Sequence, residues 1–139
     1  MEEKKLYFKG FSYSLSNIKY DSINNTSSEK VDVLFDDQVK ILSVTEKDFS
    51  MAYVRHIHFE PKSLFDLSVE YIISFNFSNE TINEYKNNFN DLQQLVEIKA
   101  IKALEMTGVI SKASNLISNI SMQNNNNPII TPPLFLTKK

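Results

Sequence analysis

The chain has 139 residues, with fifteen Lys and Arg against seventeen Asp and Glu, and a formal net charge of −2. That length suits one domain around one core, residues 1–139, and ten Phe and six Tyr against two Gly and four Pro describe a globular chain rather than a fibrous or disordered one. Basic residues are spread among acidic ones, so the counterion release that drives nucleic-acid binding has no source, and the lack of cysteine excludes disulfides, thiolate metal sites and a Cys nucleophile together.

Residues 2–5 are charged, no apolar leader is expected after them, and no stretch approaches the roughly 18 apolar residues of a membrane span. The expectation is a cytoplasmic chain of bacterial type with no membrane insertion and no nucleic-acid partner.

In chain order, the strands fall within residues 5–77. Residues 6–20 place Tyr7, Phe11, Tyr13 and Leu15 on one parity and Ile18 and Tyr20 on the other, so a bulge is expected near Ser16 and Asn17. With Phe8 included, this strand carries rings on both parities, more than a one-sided core needs, and part of that surface is free to bind something. Residues 21–30 are a polar connection, and residues 31–35 are a short pairing segment. Asp36 and Asp37 follow in a polar stretch that reads as a solvated loop, their side chains diverging. A β-branched run at 39–45 is the next strand.

Residues 49–60 and 64–77 alternate strictly and meet at Pro61-Lys62-Ser63, an antiparallel hairpin. In the second run Phe65, Leu67, Val69, Tyr71, Ile73, Phe75 and Phe77 share one face. Each large apolar side chain is worth roughly 1.5–3 kcal/mol when buried, so a one-residue slip would cost on the order of 10 kcal/mol and the register is fixed.

From about residue 80 to 122 the period becomes helical, with interruptions signalled at 88–90 and at Gly108. In the later part Val109, Ile110, Ala113, Leu116, Ile117 and Ile120 form one apolar stripe. The earlier part is apolar nearly all round. One sheet covers only one side of such a helix, so a second copy of the chain is expected to cover Leu92, Ile98, Ile101 and Leu104, with Ile101 and Leu104 assigned to the partner. Residues 128–139 hold three of the four prolines and form an extended apolar tail. The result is an α+β fold: a four-stranded antiparallel sheet followed by a long, interrupted helix on one face.

Little catalytic chemistry is visible. There is no Gly-x-Ser-x-Gly elbow, and Gly10 and Gly108 cannot make a phosphate-cradling loop, so no enzyme is expected. His56, His58 and Glu60 share a strand face at a spacing that suits a metal on a β-sheet wall, but they include the only two histidines, and the strand supplies no further nitrogen ligand. The expectation is a solvated strand face, with no metal and no cofactor.

The sequence Phe8-Lys9-Gly10-Phe11-Ser12-Tyr13-Ser14-Leu15, the hairpin 49–77, and the helix 98–122 followed by Pro128-Ile129-Ile130-Thr131-Pro132-Pro133-Leu134-Phe135 resemble, in order and pattern, the SecB-like export chaperone family. The resemblance covers most of the chain. It implies grooves that hold unfolded polypeptides beneath the loop after the first strand, assembly into dimers and dimers of dimers with helices between sheets, and, in some relatives, service in toxin–antitoxin systems. Two departures stand out. No second helix follows the Pro-containing segment here, which implies a shallower groove, and Asp66 and Glu70 are the only acids on the wet face of the last strand, which weakens docking to a translocation motor.

These readings converge on an ATP-independent chaperone or adaptor that binds unfolded or extended apolar polypeptide, works as a homo-oligomeric dimer or tetramer, and contacts its client through Phe11, Tyr13, Tyr20, Ile23, Phe35, Leu134 and Phe135. The alternative is an oligomeric regulatory or structural protein that binds one specific folded partner. A hot-dog-like or cystatin-like enzyme fold is disfavoured because the helix follows all the strands.

Overall fold

A computed structural model describes residues 4–23, 32–60, 64–124 and 128–136. Strands β1 (Phe8–Ile23), β2 (Asp32–Val44), β3 (Asp48–Glu60) and β4 (Leu64–Phe77) precede helices α1 (Asn79–Glu84), α2 (Phe89–Met106) and α3 (Val109–Asn124). The strands form one antiparallel sheet in the order β1-β4-β3-β2, the α+β arrangement that the sequence pattern predicts. Most of the expected connection 21–30, the turn at 61–63 and the helix break at 125–127 lie outside the described residues.

Period-two alternation puts Phe49, Met51, Tyr53, Arg55, Ile57 and Phe59 of β3 beside the seven apolar residues of β4 that run from Phe65 to Phe77, and all are buried. The predicted bulge occurs as a register shift between Leu15 and Asn17. Its effect is to keep Tyr13, Leu15, Ile18 and Tyr20 opposite Ile73, Tyr71, Val69 and Leu67, hence on the same face. β2 differs from expectation. It is one continuous strand because Asp36 and Asp37, read from sequence as a solvated loop, pair in register with His56 and Arg55. Alternation then sends the two carboxylates to opposite faces of the sheet.

All three helices lie against the sheet, α1 and α3 beside β4 and α2 beside β2. Ser78 caps α1 by accepting the Thr81 backbone N–H at 3.3 Å. The break between α2 and α3 falls at Gly108, whose φ of 77° is the left-handed geometry that closes a helix. Thr107 bridges that break: its hydroxyl donates to the Leu104 carbonyl at 2.7 Å and accepts the Val109 N–H at 3.2 Å.

Leu92, Leu95, Val96, Ala100, Ala103 and Leu104 form the sheet-facing side of α2. Leu92 and Leu104, expected to face a partner copy, are therefore core residues, at 1% and 0% exposure. The physical reason is spacing: 92, 96, 100 and 103/104 fall on one helical stripe, and the sheet takes all of it. Ile98, 74% exposed, and Ile101, 37% exposed, remain outside.

Candidate functional site

The helices do not cover the whole sheet face that they pack against. On β1, Phe11, Tyr13, Leu15 and Ile18 point to the helix side, yet remain 46%, 40%, 45% and 41% exposed, while their β4 neighbours Phe75, Ile73, Tyr71 and Val69 are buried. Each ring rests on the core from one side and is open on the other: Phe11 lies 6.1 Å from Phe75, Tyr13 lies 6.3 Å from Tyr71, and Tyr20, more deeply set, stacks at 5.4 Å on Phe65. Burial, and the Tyr13 phenol beside it, push the Tyr71 pKa up. β1 is also an edge strand, since among the described residues β4 is its only neighbour in the sheet. An apolar row thus runs beside a line of backbone groups that no second strand among the described residues pairs.

At its start, β1 is held firmly. Phe8 packs against Phe49, Phe75 and Phe77, and the Tyr7 N–H donates to Thr81 Oγ1 at 3.0 Å. A cavity of about 170 Å³ opens between this segment and the end of α2, lined by Leu6, Tyr7, Ala103 and Met106 together with Lys99 and Lys102.

The tail after α3 is fixed by a buried ion pair. Arg55, 0% exposed, donates from Nε and Nη2 to the two Asp37 carboxylate oxygens, both at 2.8 Å. Its remaining donors reach Ser114 Oγ (2.9 Å), Thr131 Oγ1 (2.9 Å), the Pro132 carbonyl (2.7 Å) and the Leu134 carbonyl (2.7 Å). Asp37 Oδ2 in turn accepts the Leu136 N–H at 2.8 Å, and Asp37 Oδ1 accepts the Tyr53 hydroxyl at 3.1 Å. Burial by itself would lower the Arg55 pKa, but the hydrogen bonds and charge of Asp37, with Tyr53, outweigh it and the net direction is up. Desolvation likewise drives the Tyr53 phenol well above its ordinary range. The prolines lack N–H groups of their own, so the tail is anchored chiefly through carbonyls, which a fork of guanidinium donors suits.

No family model matches the sequence, and none of the curated proteins does. Among solved structures, the chain matches the SecB-like chaperone Rv1957 of Mycobacterium tuberculosis, determined in complex with a ChAD peptide from the HigA1 antitoxin Rv1956. The superposition has a TM-score of 0.53 and covers 88% of this chain and 84% of that one, at 11% sequence identity. The fold is SecB-like. At that identity the likeness is carried by element order and packing rather than by shared residues.

Within the SecB-like fold, the seven residues expected to contact a client divide into two groups. Phe11, Tyr13 and Tyr20 lie together on β1, with Ile23 at the far end of the strand opposite Leu64. Phe35 stands on β2, at the opposite edge of the sheet, paired with Ile57 and packed against the core. Phe135 also packs on the core, its ring 6.3 Å from Tyr53, whereas Leu134 presents its side chain to solvent. Leu15 and Ile18 belong with the β1 row and were not singled out from sequence. Arg55 and Asp37 were missed as well, although Arg55 shares parity with Met51, Tyr53, Ile57 and Phe59, and a charge on an apolar strand face demands a buried partner. No helix among the described residues is long and apolar enough to cross a membrane.

Proposed function

We propose that this chain binds extended, apolar segments of other polypeptides without nucleotide, as a cytoplasmic chaperone or adaptor. The observation that carries the reading is the β1 row of Phe11, Tyr13, Leu15 and Ile18, half-exposed beside an unpaired strand edge. Such a surface offers main-chain hydrogen bonds for affinity and alternate apolar pockets for specificity, the two requirements of an added strand. The M. tuberculosis neighbour was solved with an antitoxin peptide, which favours a toxin–antitoxin setting over general export. Ile98 and Ile101 on the outer side of α2 are the proposed contacts between copies.

The test is light scattering of a denatured client diluted into buffer without ATP, with and without a several-fold excess of the purified protein. Suppressed aggregation is expected, and the double variant Phe11→Ser/Tyr13→Ser should lose it while keeping its circular dichroism spectrum. Absence of suppression by the wild type would leave the single-partner reading, in which a pull-down returns one stoichiometric folded protein.

A further inference from the structure

The solvent face of the sheet, opposite the helices, carries a cluster that the peptide-binding reading does not use. In β3, His56 and His58 are two residues apart, so their rings share that face, stacked with centroids 4.8 Å apart. On β3 alone no third donor of suitable geometry is at hand, and Glu60, at the exposed end of the strand, is not part of the cluster. The β2 register supplies the donor instead: Asp36 pairs directly with His56, and one ligand atom from each of Asp36, His56 and His58 lies within 4.8 Å of the others.

The hydrogen bonding of these groups is incomplete in an informative way. His56 Nε2 lies 2.7 Å from Asp66 Oδ1 on β4. A carboxylate only accepts, so in the neutral ring the proton sits on Nε2 and Nδ1 is left with its lone pair. That Nδ1 faces Asp36 Oδ1 at 3.3 Å. Asp36 Oδ1 and His58 Nδ1 are both buried and have no hydrogen-bond partner among the described residues. With His56 in that form, its Nδ1 and Asp36 Oδ1 are two acceptors with no hydrogen between them, an arrangement that a cation would relieve.

We propose that Asp36, His56 and His58 bind a late first-row divalent cation, zinc being the best match, with water as the fourth ligand. Two imidazoles and a carboxylate are a zinc ligand set, and ligands about 2.0–2.1 Å from a tetrahedral zinc lie about 3.4 Å from one another. The His56–Asp36 edge of 3.3 Å already meets that spacing, and rotation of the side chains on the scale of ~1 Å closes the others. Asp66 completes the arrangement from outside, because a carboxylate that accepts the second ring N–H orients a ligating histidine and makes it more basic. The ion would tie the edge strand β2 to β3 directly and to β4 through Asp66, on the face turned away from the β1 row.

A titration of the tag-free full chain with cobalt, followed by visible absorption, tests this, with zinc displacing the cobalt and thermal unfolding recorded with and without zinc. One cobalt per chain with intense tetrahedral bands is expected, together with a melting temperature that rises with zinc. Asp36→Asn and His58→Gln, both half-buried on the face away from the helices, should keep the dichroism spectrum and abolish both effects, and Asp66→Asn should weaken binding about 10–100-fold. Lack of saturable binding by the wild type overturns the proposal. Undiminished one-to-one binding in Asp36→Asn and His58→Gln overturns it equally.

Discussion

β4 and β1 are neighbours with the same kind of sequence, alternating rings and branched aliphatics, and they have opposite fates. Phe75, Ile73, Tyr71 and Val69 are buried, while Phe11, Tyr13, Leu15 and Ile18, paired with them one to one, stay about two-fifths or more exposed. The difference lies in what covers each strand. β4 is flanked by strands on both sides and lies beside α1 and α3, whereas β1 has one neighbouring strand among the described residues. An apolar alternation therefore specifies a strand and its inward face, and the tertiary structure decides whether that face becomes core or contact surface.

The same contrast exists within α2, where it can be broken most sharply. Leu104→Glu places a carboxylate at a site with 0% exposure and should unfold the chain at room temperature, seen as loss of the cooperative dichroism transition. Ile98→Glu, at 74% exposure, should change stability by about 0.5 kcal/mol or less and lower the mass measured by light scattering. If Leu104→Glu gave a folded, smaller species, the covered side of the helix would have been assigned wrongly.

Arg55→Met examines how the covered half holds the tail. It strands the Asp37 carboxylate at 0% side-chain exposure, and leaving such a charge unpaired costs about 3–5 kcal/mol, readable as a lower urea midpoint. Adding Asp37→Leu should recover much of that loss, because two well-packed apolar groups need no partner. Equal destabilisation by the single and double variants would show that the tail carbonyls, rather than the ion pair, set the cost.

The register pair Phe75 and Phe11 gives the most specific comparison. Phe75→Ala should cost about 3–5 kcal/mol as a core truncation, while Phe11→Ala, its register partner, should cost about 1 kcal/mol or less and yet reduce client binding. Chemical denaturation and the aggregation assay read the two quantities separately. Equal losses of stability would place Phe11 in the core and remove β1 as a contact surface.

The sequence by itself determined β1, β3 and β4, the bulge between Leu15 and Asn17, and the helix break at Gly108, because each is written in local terms: a period of two or 3.6, a parity switch, a residue that tolerates positive φ. It did not determine which side of α2 would be covered, since apolar residues pointing in nearly every direction satisfy several stripes equally, and only the packed sheet selected Leu92 and Leu104 over Ile98 and Ile101. Nor could it show that Asp36 and Asp37 have separate partners. Strand register places them opposite His56 and Arg55, and alternation turns one toward two histidines on the wet face and the other toward a buried guanidinium that holds the tail. Contacts between residues 18 to 99 positions apart, as between Asp37 and Arg55 or Leu136, leave no periodic trace in a single chain, so they had to wait for the tertiary structure.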